Sequence, residues 1–380
     1  MTTETVKGFR DYTGEEAERK SGIKEIIKNV FEKYNFEPAE TPVVEYEEFV
    51  KGENKNDEAV SDIFKLKDKG KRNLALRYEF TFQLKRLMQN RKLPYKRYQI
   101  GEVFRDEPTS SNRLRQFTQC DADIIGVSDS GTREEAEILS MANEILKKLG
   151  IEPIIFINNR KLLNEILDDL KIQKNKEQVL REIDKFDKLS ENEIRANLKK
   201  LNAEKIIDAL KQGEDYFNKF ESYKEIISLM DYCRIYGVKI LFSPTIVRGL
   251  SYYNGTVFEI KVKNVRETIV AGGSYLVNGV QCTGISFGLE RLLILAKIKI
   301  VKEKYLIVSL GEDREAIKLA QKLRSKNKIV SIYYGKPSKA LEYANAYKIE
   351  KVIFVGEKEV KAKKFKVKDM KSGKEIVLKI

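Results

Sequence analysis

Arginines and polar acceptors are concentrated in one segment of the chain, residues 98–126. Arg105 precedes a turn-rich polar stretch, and Arg113 and Arg115 follow it. Clustered guanidinium groups suit a polyphosphate, because their forked donors match phosphate oxygens and their charge persists at any working pH. Acceptor side chains accompany them at Glu107, Gln119 and Asp123. The segment taken alone is equally compatible with a basic hairpin that has a solvated tip.

Two strands are predicted to position these side chains. Tyr98, Ile100, Glu102 and Phe104 alternate with the period of a strand, and residues 117–125 alternate well enough to form its return partner. The sequence therefore predicts a hairpin that brings Arg105, Arg113 and Arg115 together at one mouth of a sheet.

This segment resembles motif 2 of the class II aminoacyl-tRNA synthetases, in the form found in histidyl-tRNA synthetases. The family pattern is an Arg at a strand end, an acidic residue two positions on, a variable loop, a second Arg, then a Phe and a Gln. The matching residues are Arg105, Glu107, Arg113, Phe117 and Gln119. In chain order, RGLSYY at 248–253 resembles the histidine-specific signature, and GISFGLERL at 284–292 resembles motif 3. Three motifs in the family's order are more specific than any one of them.

The amino-acid composition limits the kinds of catalysis and metal binding that the chain can perform. The chain of 380 residues has 42% hydrophobic residues, enough for two or three domains. It contains no His, which excludes His general acid–base chemistry and His metal ligands. Its three cysteines lie too far apart for a zinc site and suit a reducing cytoplasm. We expect no membrane span and no secretory signal, because no long apolar run occurs and the first residues are charged.

We expect an α+β fold. The resemblance implies the antiparallel sheet of a class II synthetase flanked by helices, with a helical insertion and a C-terminal α/β anticodon-binding domain. The expected divisions are 1–157 (first part of the catalytic core, motifs 1 and 2), 158–238 (helical insertion), 239–300 (second part of the core) and 301–380 (anticodon-binding domain). Residues 301–380 hold 21 Lys and Arg against 10 Asp and Glu, which indicates a polyanionic partner or a solvated basic surface.

Local patterns support these divisions. Apolar residues from Ile23 to Tyr34 fall at helical spacing before a strand and Pro42, and the resemblance makes this pair motif 1, the dimer interface. Ser190 and Glu193 form a capping box within the insertion. Strands and helices alternate from Tyr305 onward, which predicts a parallel sheet.

The resemblance also implies roles in binding ATP. Arg105 and Arg248 would act at the reacting α-phosphate from opposite sides and are the expected catalytic residues. Arg113 and Arg291 would hold the γ-phosphate, Glu107 would accept from the adenine amino group, and Phe117 would stack on the ring. Mg²⁺ is expected to bridge the β- and γ-phosphates, with no metal site built from protein ligands.

The histidine pocket is implied in the same way. The expected residues are Glu79, Thr81 and Gln119 at the α-ammonium, Asp123, Tyr253 and Tyr275 at the imidazole, and Arg248. Thr81 is equally a candidate helix cap, for a helix beginning near Phe82. Tyr252 is expected in the core, because neighbours on a strand point to opposite faces. Ser251, Ser274 and Leu276 depart from the family signature, and Asp123 stands where many relatives have Glu.

The resemblance implies a cytoplasmic, homodimeric histidine–tRNA ligase that takes L-histidine, ATP and tRNA(His) and has no membrane partner. Two alternatives stay open. One is a non-catalytic regulatory subunit of the ATP phosphoribosyltransferase of histidine biosynthesis, and the other is a tRNA-binding protein with an inactive synthetase core. The arginines at 105, 248 and 291 and the basic C-terminal module favour the ligase.

Overall fold

The computed structural model describes residues 2–52, 60, 62–110, 113–128, 131–248, 252–265, 267–298 and 303–378. The chain divides into two compact units, Met1–Ile298 and Lys299–Ile380. The helices of the first unit are α1 (Gly14–Lys33), α2 (Glu47–Lys51), α3 (Leu84–Leu87), α4 (Thr132–Lys148), α5 (Arg160–Asp169), α6 (Lys176–Ile183), α7 (Glu191–Lys199), α8 (Lys205–Leu210), α9 (Glu214–Phe217), α10 (Tyr223–Ile235) and α11 (Leu289–Leu295), with a 3₁₀ turn at Asp184–Asp187. Its strands are β1 (Glu37–Pro38), β2 (Val44–Tyr46), β3 (Lys65–Lys67), β4 (Asn73–Leu76), β5 (Tyr95–Phe104), β6 (Gln116–Ile125), β7 (Ile154–Asn159), β8 (Ile240–Phe242), β9 (Tyr253–Lys261), β10 (Val270–Val277) and β11 (Val280–Gly288). Among the described residues, no helix is both long enough and apolar enough to cross a bilayer.

An eight-stranded sheet is the centre of the first unit. Its strand order is β1-β5-β6-β11-β10-β9-β7-β8, and only the outer pairs β1–β5 and β7–β8 are parallel. The predicted hairpin is confirmed, since β5 and β6 pair in antiparallel register from Tyr95↔Ile125 to Phe104↔Gln116. The distant motifs meet here, because β6 also pairs with β11.

Alternation along β6 separates core from site. Cys120, Ala122 and Ile124 are fully buried in the hydrophobic cluster that includes α1 and α4. The predicted first helix is confirmed and buries Ile23 and Ile27 in the same cluster. Residues of opposite parity on β6 therefore face the other side of the sheet, where polar groups gather.

The insertion is helical, as predicted, and consists of α5 to α10. The capping box of Ser190 and Glu193 at the start of α7 is confirmed. The apolar residues of the insertion belong to the same hydrophobic cluster as the sheet and α1. The insertion is thus part of the first unit's core, and the predicted divisions at 157 and 238 stay predictions.

The segment before β5 differs from the prediction in detail. A hairpin turns at residues 68–70, where β3 and β4 are antiparallel and the backbone N–H of Lys71 donates to the carbonyl of Asp68 at 3.0 Å. Glu79 and Thr81 lie beyond the end of β4, and neither belongs to a strand. The helix starts at Leu84 and has Gln83 as its N-cap, so the prediction of Thr81 as the cap is wrong.

The second unit is the predicted α/β module. Its elements are β12 (Lys304–Ser309), α12 (Asp313–Arg324), β13 (Ile329–Tyr334), α13 (Pro337–Ala346), β14 (Lys351–Val355), α14 (Glu357–Ala362), β15 (Phe365–Asp369) and β16 (Glu375–Leu378). The sheet order is β13-β12-β14-β15-β16, with the first three strands parallel and the last two antiparallel. Two apolar clusters, one containing Ile307 and the other Val308, give this unit a core on both faces of its sheet. Helix α14 was not predicted.

Candidate active site

The loop between β5 and β6 presents Arg105 and Arg113 and anchors Arg115. The guanidinium of Arg105 lies 5.2 Å from the ring centroid of Phe117, and its Nε donates to the carbonyl of Tyr78 at 3.1 Å. Arg113 pairs with the carboxylate of Glu107 and is more than half exposed. Arg105 therefore lies over the Phe117 ring, and Arg113 pairs with Glu107 in the loop that follows Arg105.

Arg115 joins the N-terminal segment to the loop between β5 and β6. Its backbone N–H donates to the carbonyl of Gly8 at 2.9 Å, and its side chain pairs with Asp106 at 3.2 Å. Gly8 has a positive φ of 86°, and a side chain there would collide with Arg115. Arg115 also stays beside Arg105, because the backbone N–H of Arg105 donates to the carbonyl of Arg115 at 2.9 Å.

Four arginines share one electrostatic environment. Burial lowers the pKa of Arg291, and the positive charges of Arg113, Arg105 and Arg248 lower it further, against an opposing effect of Glu267. Mutual repulsion of this kind requires the groups to lie within interaction range. The structure thus gathers arginines from motif 2, the histidine signature and motif 3 at one place. A polyanion placed among them would relieve the repulsion.

Arg248 is held in an unusual conformation. Its φ of 64° lies in the left-handed region, which non-glycine residues rarely adopt. Its guanidinium pairs with Glu259 on β9 at 3.2 Å, and its backbone N–H donates to the carboxylate of Asp184 in the insertion. Burial lowers its pKa, but Tyr253 and Glu259 outweigh burial, so the net pKa is raised. The side chain is therefore a fixed, permanently charged group.

Asp123 lies on the polar face of β6, and both of its carboxylate oxygens already contact polar side chains. The hydroxyl of Tyr275 donates to its Oδ1, and Nη2 of Arg97 lies 2.7 Å from its Oδ2. Arg97 is wholly inaccessible to solvent. Gly284, opposite Asp123 on β11, leaves the room that this carboxylate occupies, since any side chain there would overlap it.

Tyr252, Tyr253 and Tyr275 pack together beside Asp123, and Glu79 lies close enough to affect two of them. The ring of Tyr252 lies 4.7 Å from that of Tyr253 and 5.6 Å from that of Tyr275, measured between centroids. The expectation that alternation separates Tyr252 from Tyr253 is wrong, because Tyr252 precedes the start of β9. Burial raises the pKa of Tyr252 and of Tyr253, and the charge of Glu79 adds to both shifts. Thr81 is half-buried in the turn before α3.

Gln119 and Asp121 complete the polar face of β6. Nε2 of Gln119 donates to the hydroxyl of Ser286 on β11 at 2.7 Å, and Ser286 in turn hydrogen-bonds Asp121. Burial and the charge of Asp123 raise the pKa of Asp121 to about 8. A carboxyl group kept protonated near neutral pH can donate a hydrogen bond as well as accept one.

The departures from the family signature lie away from this pocket where the structure describes them. The hydroxyl of Ser274 donates to Glu135 on α4, on the far side of β10. Leu276 is 51% exposed. Ser251 lies outside the described residues. Positions 274 and 276 therefore flank Tyr275 without joining the group around Asp123.

Sequence reasoning missed Arg97, Asp121, Asp184 and Ser286. The signal for Asp121 was present, because it lies midway between Gln119 and Asp123 and so shares their face of the strand. Arg97 gave no such signal, since an Arg next to Lys96 in a strand is expected to face water. Asp184 comes from the insertion and is distant in sequence from everything it contacts.

Comparison with a solved structure defines the class. The chain superposes on the crystal structure of a histidyl-tRNA synthetase from Nostoc sp. PCC 7120 with a TM-score of 0.87 and 26% identity, covering 100% of this chain and 97% of the other. With the antiparallel sheet, the arginine cluster and the separate α/β unit, the protein has the architecture of a class II aminoacyl-tRNA synthetase.

Sequence comparisons define the family. The histidyl-tRNA synthetase family model matches residues 8–292, and the anticodon binding domain model matches residues 304–380. Histidine–tRNA ligase 1 of Bacillus cereus is 33% identical, covering 99% of this chain and 95% of the relative. Histidine–tRNA ligase of Wolinella succinogenes is also 33% identical, covering 98% and 95%. The chain belongs to the histidyl-tRNA synthetase family.

Proposed function

We propose that this chain activates L-histidine with ATP, forming histidyl-adenylate and pyrophosphate, and then transfers the histidyl group to the 3′ end of tRNA(His). The observation that supports this proposal is the gathering of Arg105, Arg113, Arg248 and Arg291 beside the polar pocket at Asp123. Its full-length relatives carry the name histidine–tRNA ligase.

The activation step joins two anions. The carboxylate of histidine attacks the α-phosphorus of ATP, and negative charge builds on the phosphoryl oxygens as pyrophosphate leaves. Preorganised cations aimed at that charge are the largest available stabilisation. Arg105 and Arg248 take this role, and the pairing of Arg248 with Glu259 orients its guanidinium before substrate arrives.

The remaining ATP contacts follow from the loop and α11. Arg113 and Arg291 bind the γ-phosphate, and Glu107, which pairs with Arg113, turns to the adenine amino group. The ring of Phe117, under Arg105, stacks with the adenine. Mg²⁺ enters as part of the ATP substrate, bridging the β- and γ-phosphates.

Histidine occupies the pocket between the tyrosines and β6. Glu79, Thr81 and Gln119 bind its α-ammonium group. Asp123, Tyr253 and Tyr275 enclose the imidazole, and Arg248 lies between the amino acid and the α-phosphate. A pocket of buried polar groups rejects analogues that leave those groups unpaired, which supplies specificity.

The protein works in the cytoplasm as a homodimer that binds tRNA through its second unit. A small three-stranded sheet of the first unit has the order β2-β4-β3. Its edge strand β2 supports the dimer, because Val44 and Tyr46 are 41% and 51% exposed. The second unit has the fold of an anticodon-binding domain and a large excess of Lys and Arg. Phosphate contacts from such residues supply most of the affinity for a nucleic acid.

Amino-acid-dependent exchange of labelled pyrophosphate into ATP tests the proposal. We expect exchange with L-histidine, and Arg248→Ala is expected to lower kcat by roughly 10²–10³-fold. Arg234→Ala is the matched control, because Arg234 is 75% exposed on α10 and is expected to leave the rate unchanged.

The same assay separates the alternatives. The absence of pyrophosphate exchange with any of the twenty amino acids would refute the proposal that the chain is a ligase. If tRNA binding were then retained, the chain would be a binding protein with an inactive core. Copurification with a phosphoribosyltransferase, without tRNA binding, would identify a regulatory subunit.

A further inference from the structure

Thr268 lies between two of the four arginines of the site. It is half-buried in the segment that joins β9 to β10, shortly before β10 begins at Val270. The backbone N–H of Ile269 donates to the carbonyl of Ile260 on β9 at 3.0 Å, which holds this segment against β9. The side chain of Thr268 is thereby placed beside that of Glu259, the residue before Ile260.

The two polar groups of Thr268 lead to two different arginines. Its hydroxyl donates to Oε2 of Glu259 at 2.8 Å, and Oε1 of the same carboxylate pairs with Nη1 of Arg248 at 3.2 Å. Its backbone carbonyl accepts from Nη1 of Arg291 on α11. Arg291 reaches this carbonyl because β11, which leads into α11, pairs with the start of β10. Thr268 therefore connects the guanidinium of the histidine signature to that of motif 3.

The hydroxyl of Thr268 determines the orientation of the Glu259 carboxylate. The terminal torsion of a Glu side chain is broad, because it joins a tetrahedral carbon to a planar one. A hydrogen bond to Oε2 limits this rotation and keeps Oε1 directed at Arg248. Lys261 also lies near Oε2, but its Nζ is 3.6 Å away, beyond hydrogen-bond distance. Glu259 is buried, so water does not readily replace the hydroxyl.

We infer that Thr268 is a positioning residue for the activation step. Its hydroxyl orients the guanidinium of Arg248 through Glu259, and its backbone carbonyl holds Arg291. The inference rests on the proposed function, since it names a further residue for the same reaction. Like charges repel, so two guanidinium groups near each other need fixed acceptors before ATP binds between them. Thr268 supplies one acceptor directly and orients the other.

The two contacts predict different effects on kcat and KM. Thr268→Val removes the hydroxyl but keeps the backbone carbonyl, so it loosens Arg248 and leaves Arg291 in place. Arg248 acts at the α-phosphate, where charge develops in the transition state, whereas Arg291 binds the γ-phosphate. Loss of an interaction made in the transition state lowers kcat. We therefore expect kcat to fall roughly 10-fold, with KM for ATP and for histidine within about twofold of wild type.

Pyrophosphate exchange by the wild type, Thr268→Val and Thr268→Ser tests the inference. Thr268→Ser keeps the hydroxyl, so we expect its kcat to stay close to that of wild type. Thr245→Val is the matched control, because it makes the same change shortly before Arg248, where the hydroxyl lies 3.3 Å from that of Ser243. We expect Thr245→Val to leave kcat unchanged.

A double-mutant cycle with Arg248→Ala separates positioning from a general loss of structure. If Thr268 acts through Arg248, Thr268→Val has no further effect on kcat in the Arg248→Ala protein. A general loss of structure would lower kcat by the same factor in both proteins. The same cycle in urea denaturation needs no activity. There we expect non-additive changes in the free energy of unfolding, because both substitutions remove a partner of Glu259.

Several outcomes would overturn the inference. One is a kcat of Thr268→Val within about twofold of wild type, and another is an equal loss of kcat in Thr268→Ser. A raised KM for ATP with kcat unchanged would show that the side chain acts through Arg291 instead. If Thr268→Val does not fold, Thr268→Ala replaces it in both cycles. A wild type that exchanges no pyrophosphate with histidine would refute the proposed function, and the cycle in urea denaturation then decides the inference, since additive effects would overturn it.

Discussion

Replacing Asp121 by Asn is expected to stabilise the first unit at neutral and higher pH. The folded-state pKa of Asp121 is raised to about 8, far above its unfolded value. The carboxyl group therefore favours the folded state fully below about pH 4, and this contribution is lost as pH rises to about 8. The amide of Asn does not titrate, so the free energy of unfolding of the variant does not decrease with pH through this position.

The magnitude follows from the pKa difference. Between pH 5 and pH 8 the folded protein holds a proton that the unfolded chain has released, at about 1.4 kcal/mol per pH unit. Allowing for partial ionisation near the upper limit, wild type should lose roughly 3–4 kcal/mol over this interval through Asp121. Effects of other groups occur in both proteins and cancel in the comparison.

Urea denaturation at pH 5 and pH 8 measures this difference. The chain has two compact units, so two transitions are expected, and the larger unit has the larger dependence on urea concentration. Asp215→Asn, an exposed carboxylate on α9, is the control and should follow wild type within about 0.5 kcal/mol. The same loss between pH 5 and pH 8 in wild type and Asp121→Asn would refute the reasoning.

Two further substitutions test the packing. Gly284→Ala places a methyl group on the carboxylate of Asp123, and we expect the free energy of unfolding in urea to fall by about 1–3 kcal/mol. Gly213→Ala is the control and should change this free energy little, because Gly213 has open space around it. Equal effects of the two substitutions would contradict the overlap at Gly284. Ser190→Ala removes the capping box with Glu193, and we expect the whole first unit to lose about 1 kcal/mol in one transition. A separate early transition of the insertion would show that the shared core does not couple them.

Much of the fold could be predicted because periodicity reports burial. The β5–β6 hairpin, α1 and the alternating second unit each have an apolar pattern that matches their element. The helix cap at Thr81 was misplaced, because backbone pairing continues to Arg77, whose N–H donates to Val43 and whose carbonyl accepts from Phe104, and the helix starts only at Leu84. Helix α14 has no buried residue and so left no apolar stripe to find.

The arginines of the site could be predicted, but their partners could not. Motif spacing indicated Arg105, Arg248 and Arg291, and the structure places them within range of one another. Pairing of Arg97 with Asp123 depends on register across two strands, which hydrophobic alternation does not specify for polar residues. The sequence presented Asp123 as an available acceptor, but the structure pairs its carboxylate with Arg97.

The backbone hydrogen bond from Arg248 to Asp184 links the insertion directly to one of the four arginines of the site. The insertion cannot move as an independent lid, because its apolar residues share one hydrophobic core with the sheet. A displacement of its outer helices would therefore be transmitted to the backbone at Arg248, which has a left-handed conformation. A macromolecule that binds those helices would thus act on the backbone of Arg248 through a continuous packed core.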